Sequence, residues 1–287
     1  MSQHSTESGY ISDEAQLRSP SNNVIKTDNE IFTKTFEVLE KLVDSQNGTL
    51  YTGYERKTGR KVVIKQIPRT SISEYKIIDG RMVPSEIFYH MASFQICRDA
   101  VVEPLAWFEK RSSFVLVMEK PEDMIDLYDF TEKYGIINEE VAKIIIKDIV
   151  EINQKLINHG ICHRDLKDEN ILINPYTLNV KIIDFGCSTK VKSNYTNCQG
   201  TPEYWPTEWY EQHSYQPRNL TVWSIGSLMY ILLTGSWEFE NGKHKRDLEA
   251  EEKISQNAKN LINSMFCSVP SKRATFEEIL ASDWLAC

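Results

Sequence analysis

Residues 163–170 read H-R-D-L-K-D-E-N, and residues 184–186 read D-F-G. Five residue types of the first stretch stand in a fixed pattern, which at roughly 5% usage each would arise by chance in about one chain in ten thousand of this length. Short apolar runs flank both stretches, at Ile161–Cys162, Ile171–Ile173 and Ile182–Ile183. Such apolar runs are expected to be buried in the core. Both polar stretches are therefore predicted to be loops anchored on the hydrophobic core.

The two stretches resemble the catalytic loop and the metal-binding loop of protein kinases. The resemblance implies transfer of a phosphoryl group from ATP, a reaction in which the protein mainly positions groups and neutralises charge. Asp165 would accept the proton of the attacking hydroxyl, and Lys167 would reach the transferred phosphate. Asn170 and Asp184 would hold Mg²⁺, with Mn²⁺ as an alternative metal, because both ions suit oxygen ligands. Taken alone, either aspartate would be a solvated loop residue.

The segment before these loops is predicted to form an antiparallel sheet. Strand patterns occur at residues 36–39, 49–54, 61–67, 101–107 and 114–118, several of them rich in β-branched and aromatic residues. Residues 63–65 stand where a kinase has the last three residues of V-A-I-K. Lys65 is therefore expected to hold the α- and β-phosphates of ATP.

A helix is predicted to begin at Val83 and Pro84, since proline is favoured near a helix start. Glu86 lies in its first turn and is expected to form an ion pair with Lys65. An exposed glutamate that interacts favourably with the helix dipole is the open alternative.

The loop between the first two strands departs from the kinase pattern G-x-G-x-x-G-x-V. Gly48 occupies the third glycine position, whereas Val43 and Ser45 replace the first two glycines. Glycines let the backbone approach a ligand closely, so this departure predicts weaker nucleotide binding. Val43, Gly48 and Leu50 are still expected to contact ATP, with Leu50 over the adenine.

Residues 118–121 read M-E-K-P and are predicted to connect the sheet to a second lobe. Met118, Glu119 and Pro121 are expected to line the adenine site. Because Pro121 has no backbone N–H, an adenine would depend mainly on the carbonyl group of Glu119.

Residues 114–130, which include this proline, resemble the Pim family of serine/threonine kinases. So do the catalytic loop, residues 271–279, and Thr221, which stands where most kinases have an aspartate. The resemblance covers residues 32–285. It implies an α+β fold of two lobes, a small lobe with an antiparallel sheet and one helix, and a larger lobe that is mainly helical. The expected boundaries are an acidic, serine-rich disordered tail at 1–30, a kinase N-lobe at 31–120 and a C-lobe at 121–287.

Pim-like kinases use carboxylates near the catalytic loop to bind arginines upstream of the phosphorylated residue. Such positions are occupied here by Asp126, Asp129 and Glu169. The expected partners are therefore protein substrates with basic, arginine-rich segments, and solvated surface acids are the open alternative. The hydroxyl of Thr201 is expected to bond Asp165 and Lys167.

Apolar periodicity predicts helices in the second lobe at residues 138–158, 219–234, 257–267 and 275–281. Asn138 is expected to cap the first of them. Glu208 has an expected ion-pair partner in Arg273, far along the chain.

Composition limits the classes of partner. The net charge of -8, of which five acids and two bases in the first 30 residues contribute -3, argues against nucleic-acid binding. Six cysteines show no C-x-x-C pairing, which is typical of reduced thiols in an intracellular protein. The N-terminus has no apolar signal segment, and residues 222–237 are too short and too interrupted to span a membrane. A monomer in the cytoplasm, and also in the nucleus, is expected.

The residues favour an active serine/threonine kinase over two alternatives. A pseudokinase that serves as a scaffold, with weak or no nucleotide turnover, is suggested by the altered glycine loop. A small-molecule kinase is disfavoured by the predicted peptide-binding segment at residues 200–208. Phosphorylation of Tyr195 or Thr196 to engage Arg164 also stays open, because Pim-like kinases are active without it.

Overall fold

The computed structural model describes residues 28–45, 47–235, 239–240, 243–244, 248 and 253–286. Most of the predicted tail, Gln46 and Cys287 lie outside these residues. The described chain forms a first lobe built on an antiparallel sheet and a second lobe that is mainly helical, as expected. None of the described helices is both long and apolar enough to cross a membrane.

The first lobe begins with a helix that the sequence did not predict. This helix, α1, covers Asp28–Thr35, so the boundary expected at residue 30 falls inside it. The correction has a physical cause, because Phe32 of α1 packs on Phe36 and Phe108 with ring centroids 6.0 and 5.4 Å away. The helix thereby covers the outer face of the sheet, where a second, smaller core forms.

Five of the strands form one antiparallel sheet. The strands of this lobe are β1 Phe36–Ser45, β2 Gly48–Glu55, β3 Lys61–Pro68, β4 Tyr75–Ile78, β5 Arg81–Pro84, β6 Pro104–Glu109 and β7 Ser113–Glu119. The order in the sheet is β1-β2-β3-β7-β6. Its register sets Lys65 of β3 between Leu50 of β2 and Leu116 of β7. Lys65 therefore lies in the middle of the sheet, on the face opposite the α1 core.

The hairpin of β4 and β5 was not predicted, and it corrects the start of the next helix. Val83 belongs to β5, and α2 covers Ser85–Ile96 with Pro84 as its N-cap. The residue before a proline is pushed away from helical dihedrals towards extended ones. Val83 therefore stays in the strand, and Glu86 still lies in the first turn of the helix.

The second lobe is organised around two long helices. Its helices are α3 Leu127–Tyr134, α4 Glu139–Asn158, α5 Thr207–Gln212, α6 Pro217–Thr234, α7 Gln256–Met265, α8 Phe276–Leu280 and α9 Asp283–Ala286. Asn138 caps α4 as predicted, by accepting a hydrogen bond from the Glu140 N–H at 2.8 Å. Helix α6 is buried on nearly every side, as is typical of a central core helix.

Short strands also occur in this lobe, and some of them flank the polar loops. They are β8 Ile125–Asp126, β9 Ile161–Cys162, β10 Ile171–Ile173, β11 Val180–Ile182, β12 Thr189–Lys190, β13 Phe239–Glu240 and β14 Lys243–His244. The polar stretch at 163–170 lies between β9 and β10, and residues 184–186 follow β11. Strand β10 pairs with both β11 and β8. The paired strands β10 and β11 therefore bring the end of the first polar stretch close to the start of the second, as the prediction of anchored loops requires.

The predicted pair of Glu208 and Arg273 is a buried bidentate salt bridge. Two guanidinium nitrogens donate to the two carboxylate oxygens at 2.8 and 2.6 Å. Arg273 also donates to the carbonyl groups of Cys267 and Asn219 and lies 4.8 Å above the Trp223 ring. Arg273 thus joins α5 and α6 to the chain that follows α7.

Replacing Arg273 by methionine should lower the free energy of unfolding by about 3–5 kcal/mol, because it leaves the Glu208 carboxylate buried without a cation. For a domain of this size the loss corresponds to roughly 6–20 °C in Tm. Thermal unfolding followed by circular dichroism measures it. The control Lys272→Met changes an exposed neighbour and should leave Tm nearly unchanged, and equal effects of both changes would contradict this role.

Candidate active site

A lysine between two carboxylates joins the lobes. The ammonium group of Lys65 lies 2.6 Å from Oε1 of Glu86 and 2.9 Å from Oδ1 of Asp184. The lysine side chain is 8% exposed and that of Glu86 is 9% exposed. The predicted pairing of Lys65 with Glu86 is present. Strand β3, helix α2 and the loop after β11 each contribute one member, so the triad forms only when all three are in register.

The charges of the triad favour a further cation. Burial opposes the ammonium form of Lys65, but Glu86 and Asp184 outweigh it and raise the lysine pKa. Burial raises the pKa of Glu86. Burial also opposes ionisation of Asp184, yet Lys65 and the Gly186 N–H, 3.1 Å away, lower the pKa of that carboxyl group. Two carboxylates around one ammonium group leave a formal excess of one negative charge.

Two loop residues have left-handed backbone conformations, which are uncommon outside glycine. Arg164 has φ 70° and Asp184 has φ 59°. Such residues persist only where the surrounding structure holds them. Here the ring of Phe185 is fully buried, with its centroid 5.1 Å from that of His90 and 5.0 Å from that of His163. The three rings connect α2 to both loops.

His90 is a site residue that the sequence reading missed. Its Nε2 donates to the Val102 carbonyl group at 2.7 Å, which ties α2 to the loop before β6. Burial lowers the pKa of His90 to about 4, so the imidazole is neutral near pH 7. His90 follows Glu86 by four residues, which puts both side chains on one face of α2. This spacing is the sequence feature that could have identified His90 as a site residue.

Asp165 is held by Asn170 and Thr201, and its own backbone N–H donates to Nδ1 of His163 at 3.3 Å. The Asn170 side-chain nitrogen donates to its backbone carbonyl at 2.8 Å and to Oδ2 at 3.2 Å. The backbone N–H and the hydroxyl of Thr201 donate to Oδ1 at 2.9 and 2.8 Å. The expected contact of Thr201 with Asp165 is present, whereas the ammonium group of Lys167 pairs with Glu169. The approach at Thr201 requires Gly200, whose φ is 86° and whose added Cβ would lie 2.5 Å from the Arg164 carbonyl oxygen.

The donor set fits a magnesium ion bound together with phosphates. Asn170 directs its amide nitrogen to Asp165, which leaves its carbonyl oxygen as an acceptor. The Asp184 side chain is ionised and 43% exposed. Mg²⁺ is commonly held by one or two carboxylates together with substrate phosphates. Among the described residues, no group of three or more histidine, cysteine, aspartate or glutamate side chains is placed to hold a metal ion.

The altered glycine loop is a tight hairpin of β1 and β2. Val43 pairs with Leu50 and Ser45 pairs with Gly48, and neither replacement has a positive φ. The side chains of Val43 and Ser45 therefore cost no backbone strain. Gly48 differs, because its φ is 145° and an added Cβ would lie 2.6 Å from the Gln66 carbonyl oxygen. The retained glycine is thus the one whose conformation excludes a side chain.

Comparison with known proteins agrees with this geometry. Residues 36–285 match the protein kinase domain family. The serine/threonine-protein kinase pim-2 of Danio rerio is 34% identical over 271 residues, which cover 91% of this chain and 87% of that protein. The serine/threonine-protein kinase prk-2 of Caenorhabditis elegans is 33% identical over 261 residues, which cover 88% of this chain and 59% of that protein.

The chain belongs to the protein kinase family. It is a protein serine/threonine kinase, and the predicted resemblance to Pim kinases is confirmed by the match to pim-2. Kinases of this family use ATP and Mg²⁺ and act on protein substrates. The first lobe is the kinase N-lobe and the second is the C-lobe.

The connector between the lobes offers few free backbone N–H groups. The N–H of Glu119 donates to the Glu103 carbonyl group at 2.9 Å, and that of Lys120 donates to the Lys61 carbonyl group at 3.3 Å. Pro121 has none. The Glu119 side chain accepts from Lys181 of β11 at 2.7 Å, which links the connector to the C-lobe of the kinase.

The three carboxylates predicted to bind substrate arginines lie near one another, where β8, α3 and the turn at residues 168–170 meet, and are called the acidic lip here. Asp126 caps α3 by accepting from the Asp129 N–H at 2.7 Å. Burial, and then the charges of Asp129 and Glu169, raise the pKa of Asp126. Asp129 and Glu169 are exposed. Mutual repulsion of this kind is relieved by a bound cation.

Arg164 already has partners in the activation segment of the kinase, residues 184–208, and just after α5. Its Nε donates to the Tyr215 hydroxyl at 3.1 Å, and its Nη2 donates to the Asn197 carbonyl group at 2.7 Å. The ring of Tyr195 lies 4.8 Å from the guanidinium carbon and is buried. Tyr195 is therefore inaccessible to modification in this conformation, whereas Thr196 is exposed.

His90→Gln should reduce the loss of stability on acidification, because glutamine keeps an N–H donor for Val102 but does not titrate. The folded pKa of His90, about 4, lies below that of the unfolded chain, about 6.5. The unfolded state therefore binds the proton first, and stability falls as pH drops below about 6.5. Between pH 7 and pH 5 the wild type should lose about 2 kcal/mol more than the variant.

Urea unfolding at both pH values measures this difference. The effects of other titrating groups, including His163, are shared by the two proteins and cancel in the comparison. Parallel losses in wild type and variant would contradict a buried neutral His90.

Proposed function

We propose that this kinase is active, uses Mg²⁺ and ATP, and phosphorylates serine or threonine in arginine-rich segments of proteins. The observation that carries the proposal is the acidic lip of Asp126, Asp129 and Glu169, whose third member lies four residues after Asp165 in the catalytic loop. Pairing of the lip with arginine side chains would relieve its repulsion, and a peptide so held presents its hydroxyl near Asp165.

The roles of the catalytic residues follow from their contacts. Lys65, held by Glu86, would bind the phosphates of ATP, and Asp165 would accept the proton of the substrate hydroxyl. Asp184 and Asn170 would hold Mg²⁺, which neutralises phosphate charge when bound. The adenine and the phosphates would be covered by the β1–β2 hairpin and the connector, through Val43, Gly48, Leu50, Met118, Glu119 and Pro121.

The pair of Lys167 and Glu169 couples substrate binding to catalysis. Glu169 holds the Lys167 ammonium group in this structure, whereas the reaction needs that cation at the transferred phosphate. An arginine of the substrate is the better partner for Glu169, because its planar guanidinium group can bind a carboxylate through two hydrogen bonds. An arginine at Glu169 would release Lys167.

Prior phosphorylation is not needed in this proposal. The usual role of an activation-segment phosphate is to neutralise an arginine and order the segment. Here the carbonyl group of Asn197 and the hydroxyl of Tyr215 already bind Arg164. The protein treated with phosphatase is therefore the right form for the assay.

Phosphate transfer from labelled ATP tests the proposal, with an arginine-rich serine peptide and the same peptide with alanine in place of arginine. Exposed pairs contribute about 0.2–1 kcal/mol each, so three of them should give roughly a threefold to 150-fold preference. The double variant Asp126→Asn with Asp129→Lys should lose most of it, because asparagine preserves the cap of α3. Glu132→Lys, on the exposed side of α3, controls for the change of charge. Asp165→Asn is the inactive control.

The outcomes separate the parts of the proposal. If the wild type transfers phosphate no faster than Asp165→Asn, the active-enzyme proposal fails and a pseudokinase scaffold takes its place. If the double variant lowers the phosphorylation rate of both peptides equally, the lip does not select for arginine. A loss with Glu132→Lys as large as with the double variant would show an effect of charge alone.

A further inference from the structure

The first residue of α1 carries a buried charge. Asp28 is 8% exposed, and its Oδ2 accepts from Nη2 of Arg81 at 2.6 Å and from the Glu109 N–H at 2.7 Å. A buried carboxylate is costly unless it is paired and hydrogen-bonded. Both conditions are met here, so the start of α1 is attached to two points of the N-lobe, one on β5 and one at the end of β6.

The arginine that meets Asp28 has further contacts with an aromatic ring and a second carboxylate. Its guanidinium carbon lies 4.3 Å from the centre of the Trp107 ring. Its Nη2 is also 3.5 Å from Oε2 of Glu109, whose other oxygen binds Arg69 at 2.5 Å. Stacking and charge together limit the positions that Arg81 can adopt. A displacement of Asp28 would therefore also displace Arg81 and with it β5.

Strand β5 leads directly into the helix that carries Glu86. Arg81 is its first residue and Pro84, the N-cap of α2, is its last. Val83 is fully buried, and the N–H of Ser85 donates to the Glu74 carbonyl group at 3.0 Å. The ring of Pro84 fixes φ, so only four residues, with a restricted backbone, connect Arg81 to Glu86.

We propose that Asp28 is a positioning residue for phosphate transfer. Through Arg81 it fixes β5, and β5 sets the first turn of α2 at the depth where Glu86 reaches Lys65. The inference rests on the proposed kinase activity, in which that ion pair positions the phosphates. Helix α1 then helps to position Glu86, and a change at its first residue alters the geometry of the active site.

The variant Asp28→Asn tests the proposal, because asparagine keeps an oxygen acceptor for the Glu109 N–H and removes the charge that holds Arg81. Its kcat should fall about fivefold or more, the lower end of typical couplings between sites, and KM for the peptide should stay unchanged. Glu30→Gln, an exposed change in the same turn of α1, is the control and should match the wild type. All proteins are assayed well below their Tm.

Two further measurements separate positioning from a merely structural role. In a Glu86→Gln background, Asp28→Asn should cause no further loss of kcat, because its effect passes through Glu86. Amide hydrogen exchange of residues 85–92 should accelerate in Asp28→Asn and not in Glu30→Gln, and this readout does not depend on turnover. If the wild type itself fails to transfer phosphate, the proposed function fails, and exchange alone then decides the coupling.

Other results would overturn the proposal. A lower Tm with unchanged kcat and unchanged exchange in α2 would make Asp28 a stabilising residue only. Additive losses in the double variant would mean that Asp28 acts by a route that avoids Glu86.

Discussion

The buried ammonium group of Lys65, shared by two carboxylates, is the interaction on which the rest of the structure depends. Charges inside a protein are unfavourable unless their partners are correctly placed, and the three charged groups come from three separate elements. The sheet supplies the lysine, α2 supplies Glu86, and the loop after β11 supplies Asp184. The rings of His90, Phe185 and His163 hold α2 against both loops. The fold therefore brings distant segments into the register that one small cluster of charges requires.

Local sequence patterns were sufficient for much of this arrangement. The catalytic loops, the cap and length of α4, and the pairing of Glu208 with Arg273 followed from motifs, periodicity and the family resemblance. What the sequence did not reveal depends on contacts between distant segments. Asp28 looked like part of a polar tail, because its partner Arg81 lies 53 residues away. Val83 looked helical from the sequence, because its pairing with Lys76 of β4 is a contact that only the structure shows.

The altered glycine loop has a different meaning in the structure than in the sequence. Val43 and Ser45 adopt ordinary extended conformations, and the hairpin is braced by Asp44, which accepts from Lys41 and Thr49 at 2.8 Å. This hairpin and a connector poor in N–H donors would give an adenine few polar contacts. Binding of a nucleotide would then depend on the phosphate end, where Lys65 and the metal-binding oxygens lie.

Calorimetric titration of the wild type with ATP, in the presence of Mg²⁺ and again with the metal removed by a chelator, tests this central claim most directly. The account predicts clear binding with Mg²⁺ and much weaker binding without it, because the excess negative charge at Asp184 and Glu86 needs a cation before phosphates can approach. Equal affinity in both conditions, or no uptake of nucleotide or metal in either, would contradict it.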